Sequence, residues 1–148
     1  MKEISLHIMD LAMNSINFGA DCIEIHIIEQ IDKDSMEIEI MDNGKGMSEQ
    51  TLKSINDPFF TSGNKKTGLG IPLLKQHAEA AGGKLDIQSV EDKGTRVNTS
   101  FGYNHIDRQP LGDISSTLTG LIRSNPDINW IYIHTINCKE FKLDTEEI

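Results

Sequence analysis

Residues 42–46, Asp-Asn-Gly-Lys-Gly, set a carboxylate directly before two closely spaced glycines. An ionised carboxylate only accepts hydrogen bonds, so an aspartate fixed at the end of a rigid element suits a donor group on a ligand. Gly44 and Gly46 allow a sharp turn and close backbone approach. A second constellation lies upstream. His7, Asp10, Asn14 and Asn17 recur at three- and four-residue steps and share one face of any helix that contains them. Such a stripe can be a solvated face, but Ile8, Leu11 and Ala12 flank it and suggest a helix covered nearly all round. Polar groups in a covered helix must meet partners, because an unpaired buried group costs about 1–3 kcal/mol. The third stretch, residues 57–70, is long, irregular and rich in turn formers, as functional loops are. The adjacent Phe59 and Phe60 favour a loop that closes over something.

The elements around these groups follow from hydrophobic period. Residues 3–17 read as a helix, with Leu6, Met9, Met13 and Ile16 expected on the core, stopped at Gly19. Residues 22–27 and 36–41 alternate as strands, joined by the polar link 30–35. Asp42 therefore ends a strand. The Asn43-Gly44 pair is a strong hairpin signal. Ser48 and Glu49, suited to cap and charge the start of a helix, favour strand, turn, helix instead. That helix ends before Asp57-Pro58. Ile71-Pro72 opens the next one, with Ile71, Leu74, Ala78 and Ala81 as its apolar face and Gly82-Gly83 as its stop. Residues 84–90 and 96–101 alternate as two further strands. Short links imply an α+β, two-layer sandwich: a mixed, mainly antiparallel sheet with helices on one face.

Beyond residue 102, residues 113–124 form a helix with Ile114, Leu118, Leu121 and Ile122 inward. Residues 129–136 and 140–143 pair across Asn137-Cys138, and 144–147 resemble a capped helix start. We take residues 1–102 as one domain and 103–148 as an extension packed on it, with a docking surface as the alternative use of that extension.

Composition narrows the function classes. A net charge of −9 over 148 residues disfavours nucleic acid and anionic membrane surfaces, which need basic patches. No segment reaches the length of a membrane span, and no basic leader precedes an apolar run. Cys22 and Cys138 lie far apart, outside any metal-ligand spacing, and are expected to be buried thiols of a cytoplasmic protein.

Four separated motifs, in order, resemble the GHKL ATPases (gyrase, heat-shock chaperone, histidine kinase, mismatch-repair ATPase) and their Bergerat fold. Residues 10–14 are similar to the N box, 42–46 to the first glycine box, 57–62 to the F box of histidine kinases, and 67–70 to the second glycine box. Residues 94–97 resemble the closing Gly-Thr motif, and residues 14–21 look more like the mismatch-repair version. The resemblance implies ATP and Mg2+ as cofactors. It puts adenine on Asp42, Gly44, Gly46 and Met47, with Thr95 near its edge, and Mg2+ on Asn14, since magnesium keeps several waters and needs few protein oxygens. It assigns phosphate and loop contacts to Phe60, Thr61, Lys66, Thr67, Gly68, Leu69 and Gly70, whose amides open a helix as a phosphate cradle. Lys65 is as readily an ordinary solvated lysine.

Two departures qualify the resemblance. Many members carry glutamate as the general base where this chain has Asp10, one methylene shorter. Only nine residues precede Asp10, so the helical hairpin that dimerises histidine kinases and carries their phosphoacceptor histidine is not expected here; His7 reads as a supporting or surface residue. The implied function is a stand-alone ATP-binding protein with a kinase-like catalytic domain. It would hydrolyse ATP slowly or pass the γ-phosphate to a separate protein target or regulator. The alternatives are a non-catalytic switch whose 57–70 loop orders around the γ-phosphate, and an anti-sigma-type serine kinase. Oligomeric state stays open.

Overall fold

A computed structural model describes residues 4–46, 48, 50, 70–103 and 112–145, with side chains in the helix Gly70–Ala80 from Leu74 onward. Helix α1 spans Ile4–Asn17, followed by strands β1 (Cys22–Gln30) and β2 (Ser35–Asp42). Helix α2 (Gly70–Ala80) leads into β3 (Lys84–Val90) and β4 (Gly94–Gly102). Helix α3 (Ile114–Ser124) precedes β5 (Asn129–Ile136) and β6 (Lys139–Asp144). Gln50 is helical, as the Ser48 signal implied; the rest of that segment lies outside the described residues.

The six strands form one sheet in the order β3-β4-β2-β1-β5-β6. Four neighbouring pairs are antiparallel and one, β1 with β5, is parallel. The fold is thus α+β, as the period and link lengths implied. Antiparallel neighbours follow from short links, whereas the parallel pair needs a long crossover, which here includes α3. Among the described residues, no helix is long and apolar enough to cross a membrane.

Alternation sorts the strands into two faces. Ile23, Ile25, Ile27, Met36, Ile38, Ile40, Val97 and Phe101 join Leu74, Ala78, Leu118 and Leu121 of the helices in one core. Their alternates face away and are polar, with Glu39 accepting from Arg96 Nη2 at 2.6 Å and from Asn98 Nδ2 at 3.1 Å. Burial alone would raise the Glu39 carboxyl, but these hydrogen bonds and the Arg96 charge outweigh it and hold the group below its usual range.

The structure corrects the expected inward face of α1. Met9 and Met13 are 40% and 45% exposed, while Ile4, Ile8, Leu11 and Ala12 are buried. Two apolar stripes share the helical period, and period alone does not say which meets the sheet. Small Ala12 and Ser15 with branched Ile4 and Ile8 permit the close approach that two flexible methionines would not. A second correction concerns Cys138, which is exposed at the tip of the β5–β6 hairpin. Asp144 ends β6 opposite Ile131 and Thr145 after it takes a 3-10 conformation; residues 146 and 147 of the expected helix start lie outside the described residues.

Candidate nucleotide site

Helix α1 ends in a tight reversal. Gly19 takes φ +79°, its N–H bonds to Ile16 O at 3.0 Å, and Ala20 N reaches Ser15 O at 3.2 Å. This paired closure is the glycine-ended stop expected from sequence. It brings Phe18 over the glycine turn, where Lys45 N donates to Phe18 O at 2.9 Å. From the other side Asp92 N donates to Lys45 O at 2.6 Å. Asn43 Oδ1 accepts from the amides of Asp21 and Cys22 at 2.8 and 3.0 Å, tying the turn to the start of β1. The turn is therefore fastened at three points and is not a hairpin.

Close packing explains its glycines. Gly46 has φ +69°, and a Cβ there would run into the Val90 carbonyl. At Gly44 a Cβ would stand 2.8 Å from Phe18 O and 3.2 Å from Asp42 Oδ1, crowding the carboxylate.

Asp42 is held from both sides. Its Oδ1 accepts from Gly44 N at 2.9 Å, and its Oδ2 from Ser15 Oγ at 2.6 Å. Each oxygen keeps a free lone pair, so the group is oriented yet still able to accept. Thr95 lies directly opposite on β4, buried, with its hydroxyl 2.9 Å from Ser89 Oγ. Leu11, Asn14, Ser15, Phe18, Ile40, Asp42, Thr95 and Val97 line a cavity of about 20 Å³. That is room for one water and not for a ring, so a base would meet only its rim.

Asn14 is buried, and its Nδ2 has no hydrogen-bond partner among the described residues. An orphaned buried amide is costly enough to call for a partner beyond the described residues, which a bound ligand can supply. A half-turn of the amide exchanges its oxygen and nitrogen, so the same position can offer the single oxygen a hydrated magnesium ion takes. The residue present therefore fits that ion, which Asn14 would hold. One turn earlier, Asp10 is half-buried, and burial pushes its carboxyl above the usual range. No described residue bonds or pairs with it.

Asn14, Asp42 and Thr95 of the sequence assignment thus meet around one cavity, with Gly44 and Gly46 forming the turn beside it and Asp10 one helical turn away. Gly70 opens α2. Met47, Phe60, Thr61, Lys65, Lys66, Thr67, Gly68 and Leu69 lie outside the described residues. His7 is buried on α1 with its ring edge-to-face against His77 of α2, centroids 5.2 Å apart, so it joins two helices. Sequence reasoning gave no role to Ser15, which orients Asp42, or to Gly94, whose Cβ would collide with the Asp42 backbone. A signal existed for Ser15: it adjoins Asn14 on a helix that must reach the strand end.

Residues 2–104 match the family described as histidine kinase-, DNA gyrase B- and HSP90-like ATPase. Sporulation kinase A of Bacillus subtilis is 31% identical over 101 residues, covering 68% of this chain and 16% of that protein. Sporulation kinase E of the same organism is 30% identical over 95 residues, 64% of this chain and 13% of its own length. The chain thus spans less than a fifth of either relative. Among solved structures, the Aquifex aeolicus MutL ATPase domain complexed with ADP matches with a TM-score of 0.55 at 15% identity, covering 97% of this chain and 64% of that one. That likeness is one of fold. Together with the matched residues, it shows that the chain belongs to the histidine kinase-, gyrase B- and HSP90-like ATPase family, with an ATP-binding domain like that of the histidine kinases.

Proposed function

We propose that this chain binds Mg-ATP and hydrolyses it slowly or passes its γ-phosphate to a separate protein. The observation that carries the reading is the pairing of an oriented acceptor, Asp42, with the Asn14 amide, unpartnered among the described residues, across one cavity. Asp42 accepts from the exocyclic amine of adenine, with Thr95 beside it. Guanine carries a carbonyl at that position and would set acceptor against acceptor. Asn14 would supply one neutral oxygen to a magnesium ion, whose charge would offset that of the phosphates; a carboxylate there would add an anion beside the triphosphate.

Asp10 is the candidate general base. Its raised affinity for protons suits that role, and its place one turn before Asn14 puts it on the same helix face. Aspartate reaches less far than glutamate, and a misplacement of about 1 Å can cost roughly 10²-fold in rate. Turnover by the chain alone is therefore slow, and transfer depends on a partner that completes the geometry.

The test follows single-turnover hydrolysis and phosphotransfer to purified candidate proteins, with nucleotide affinity measured in parallel. Asp10→Asn should keep ATP affinity within a few-fold while turnover falls at least about 10²-fold. Equal turnover in Asp10→Asn, with partner present, would remove Asp10 from the role of base. Binding without turnover or transfer in any form would leave an ATP-dependent switch as the better account.

A further inference from the structure

Strand β6 is an edge of the sheet, with β5 as its one neighbour among the described strands. Alternate residues of an edge strand turn their N–H and C=O groups away from that neighbour, where they can template another strand. Phe141 at the centre of β6 is 59% exposed, and Ile136 across the hairpin is 43% exposed. The flanking charges Glu140 and Lys142 form no ion pair among the described residues. At the opposite edge, by contrast, Lys84 of β3 already approaches Asp86 of its own strand at 3.8 Å.

Register decides what fits. Lys139, Phe141 and Leu143 lie opposite Ile136, His134 and Tyr132 on the helix side, while Glu140 and Lys142 lie opposite Thr135 and Ile133 on the open side. An antiparallel copy of β6, related by a two-fold axis normal to the sheet, must match helix side to helix side; a one-residue slip would put each side chain against the wrong face. Several registers then compete. Centring on Glu140 sets glutamate against glutamate. Centring on Lys142 sets lysine against lysine and Glu140 against Asp144. Centring on Leu143 sets Lys142 against Asp144 but pairs only residues 142–144 of each strand. Centring on Phe141 engages the strand from Lys139 to Leu143 and is complementary: Phe141 meets its own copy, and each Glu140 meets the other chain's Lys142.

We propose that β6 is a self-association edge, through which two copies of this chain join antiparallel about a two-fold axis at Phe141 into one continuous sheet. The contact combines an aromatic pair, two Glu140–Lys142 pairs and main-chain hydrogen bonds. One short strand is a small interface, so association is weak and salt-sensitive.

Charge reversal tests the register. Glu140→Lys and Lys142→Glu leave β6 opposite neutral Thr135 and Ile133 of its own chain, so each variant should fold and bind nucleotide as wild type does. Sedimentation of the 148-residue chain from about 10 µM to about 1 mM, the range for so small an interface, should show a monomer–dimer equilibrium. Each single variant should dimerise at least about tenfold more weakly, because like charges now face each other. An equimolar mixture of the two should recover wild-type association, since both facing pairs become opposite in sign. The double variant Glu140→Lys/Lys142→Glu should recover it alone. A wild-type chain monomeric throughout overturns the proposal. So does a dimer indifferent to both reversals, or a mixture no better than its components.

Discussion

The two ends of β1 carry polar clusters of opposite character. At its start, beside Ile23, Asp42 is oriented by Ser15 and the Gly44 amide, while among the described residues the Asn14 amide lacks a partner and Asp10 stands unpaired. At its far end, Glu29 Oε2 lies 2.6 Å from His134 Nε2, and His134 Nδ1 lies 2.6 Å from the Tyr132 hydroxyl. An ionised carboxylate only accepts, so Nε2–H donates to Glu29, while the direction of the bond between Nδ1 and the tyrosine hydroxyl is set by the ring's tautomer. Acid, imidazole and hydroxyl in a row look more like catalysis than an asparagine on a helix does. Yet the Glu29 chain is closed, each link meeting the next, and closed buried networks fix structure. Here Glu29 fastens β1 to β5, the one parallel pair of the sheet. The open cluster is the one left able to take a ligand.

Breaking the closed cluster should produce the largest stability loss. His134→Ala leaves the largely buried Glu29 carboxylate and the Tyr132 hydroxyl without their partner, for a cost of about 2–4 kcal/mol in urea unfolding. ATP affinity should barely change, because distant sites act independently.

Next in size is the open cluster's support. Ser15→Ala removes one of the two hydrogen bonds that aim Asp42 and should weaken ATP binding by about 1.5 kcal/mol, roughly tenfold, with the fold intact. Equal affinity in that variant would make Ser15 a packing residue.

Smaller again is the alkaline signature of the closed cluster. Burial, and then the Glu29 charge, push the Tyr132 phenol up to about 12. Between pH 10 and 12 the folded chain keeps a proton that unfolding releases, so stability falls as pH rises through that window. Tyr132→Phe should remove both this slope and the ultraviolet titration step near pH 12, at a cost of about 1 kcal/mol at neutral pH.

The smallest effect is that of Asp10 on stability. Just above the usual carboxylate range the folded chain holds a proton that the unfolded chain has lost, so stability declines as pH rises through it. Asp10→Asn should abolish that decline, leaving a chain as stable as wild type or slightly more so by thermal melting.

Local rules carried much of this. Alternation located β2 and thus the strand end that holds Asp42, and helical spacing put Asp10 and Asn14 on one face. The glycine after Phe18 stopped α1 where the turn needs it. What stayed hidden depends on partners far along the chain. Glu29 and His134 are 105 residues apart, and nothing in either segment announces the other. The choice between two apolar stripes on α1 was settled by how closely the helix sits on the sheet. Ser15 was in view as a residue of the motif, but its role required knowing that α1 ends over β2.

The central claim is that Asp42 reads adenine. Calorimetric titration of wild type and Asp42→Asn with Mg-ATP and Mg-GTP tests it most directly. The account predicts that wild type binds ATP in preference to GTP. It also predicts that Asp42→Asn loses a charge-assisted hydrogen bond worth about 1.5–3 kcal/mol, a roughly 10- to 150-fold drop in ATP affinity. Unchanged ATP affinity in a folded Asp42→Asn chain would contradict it.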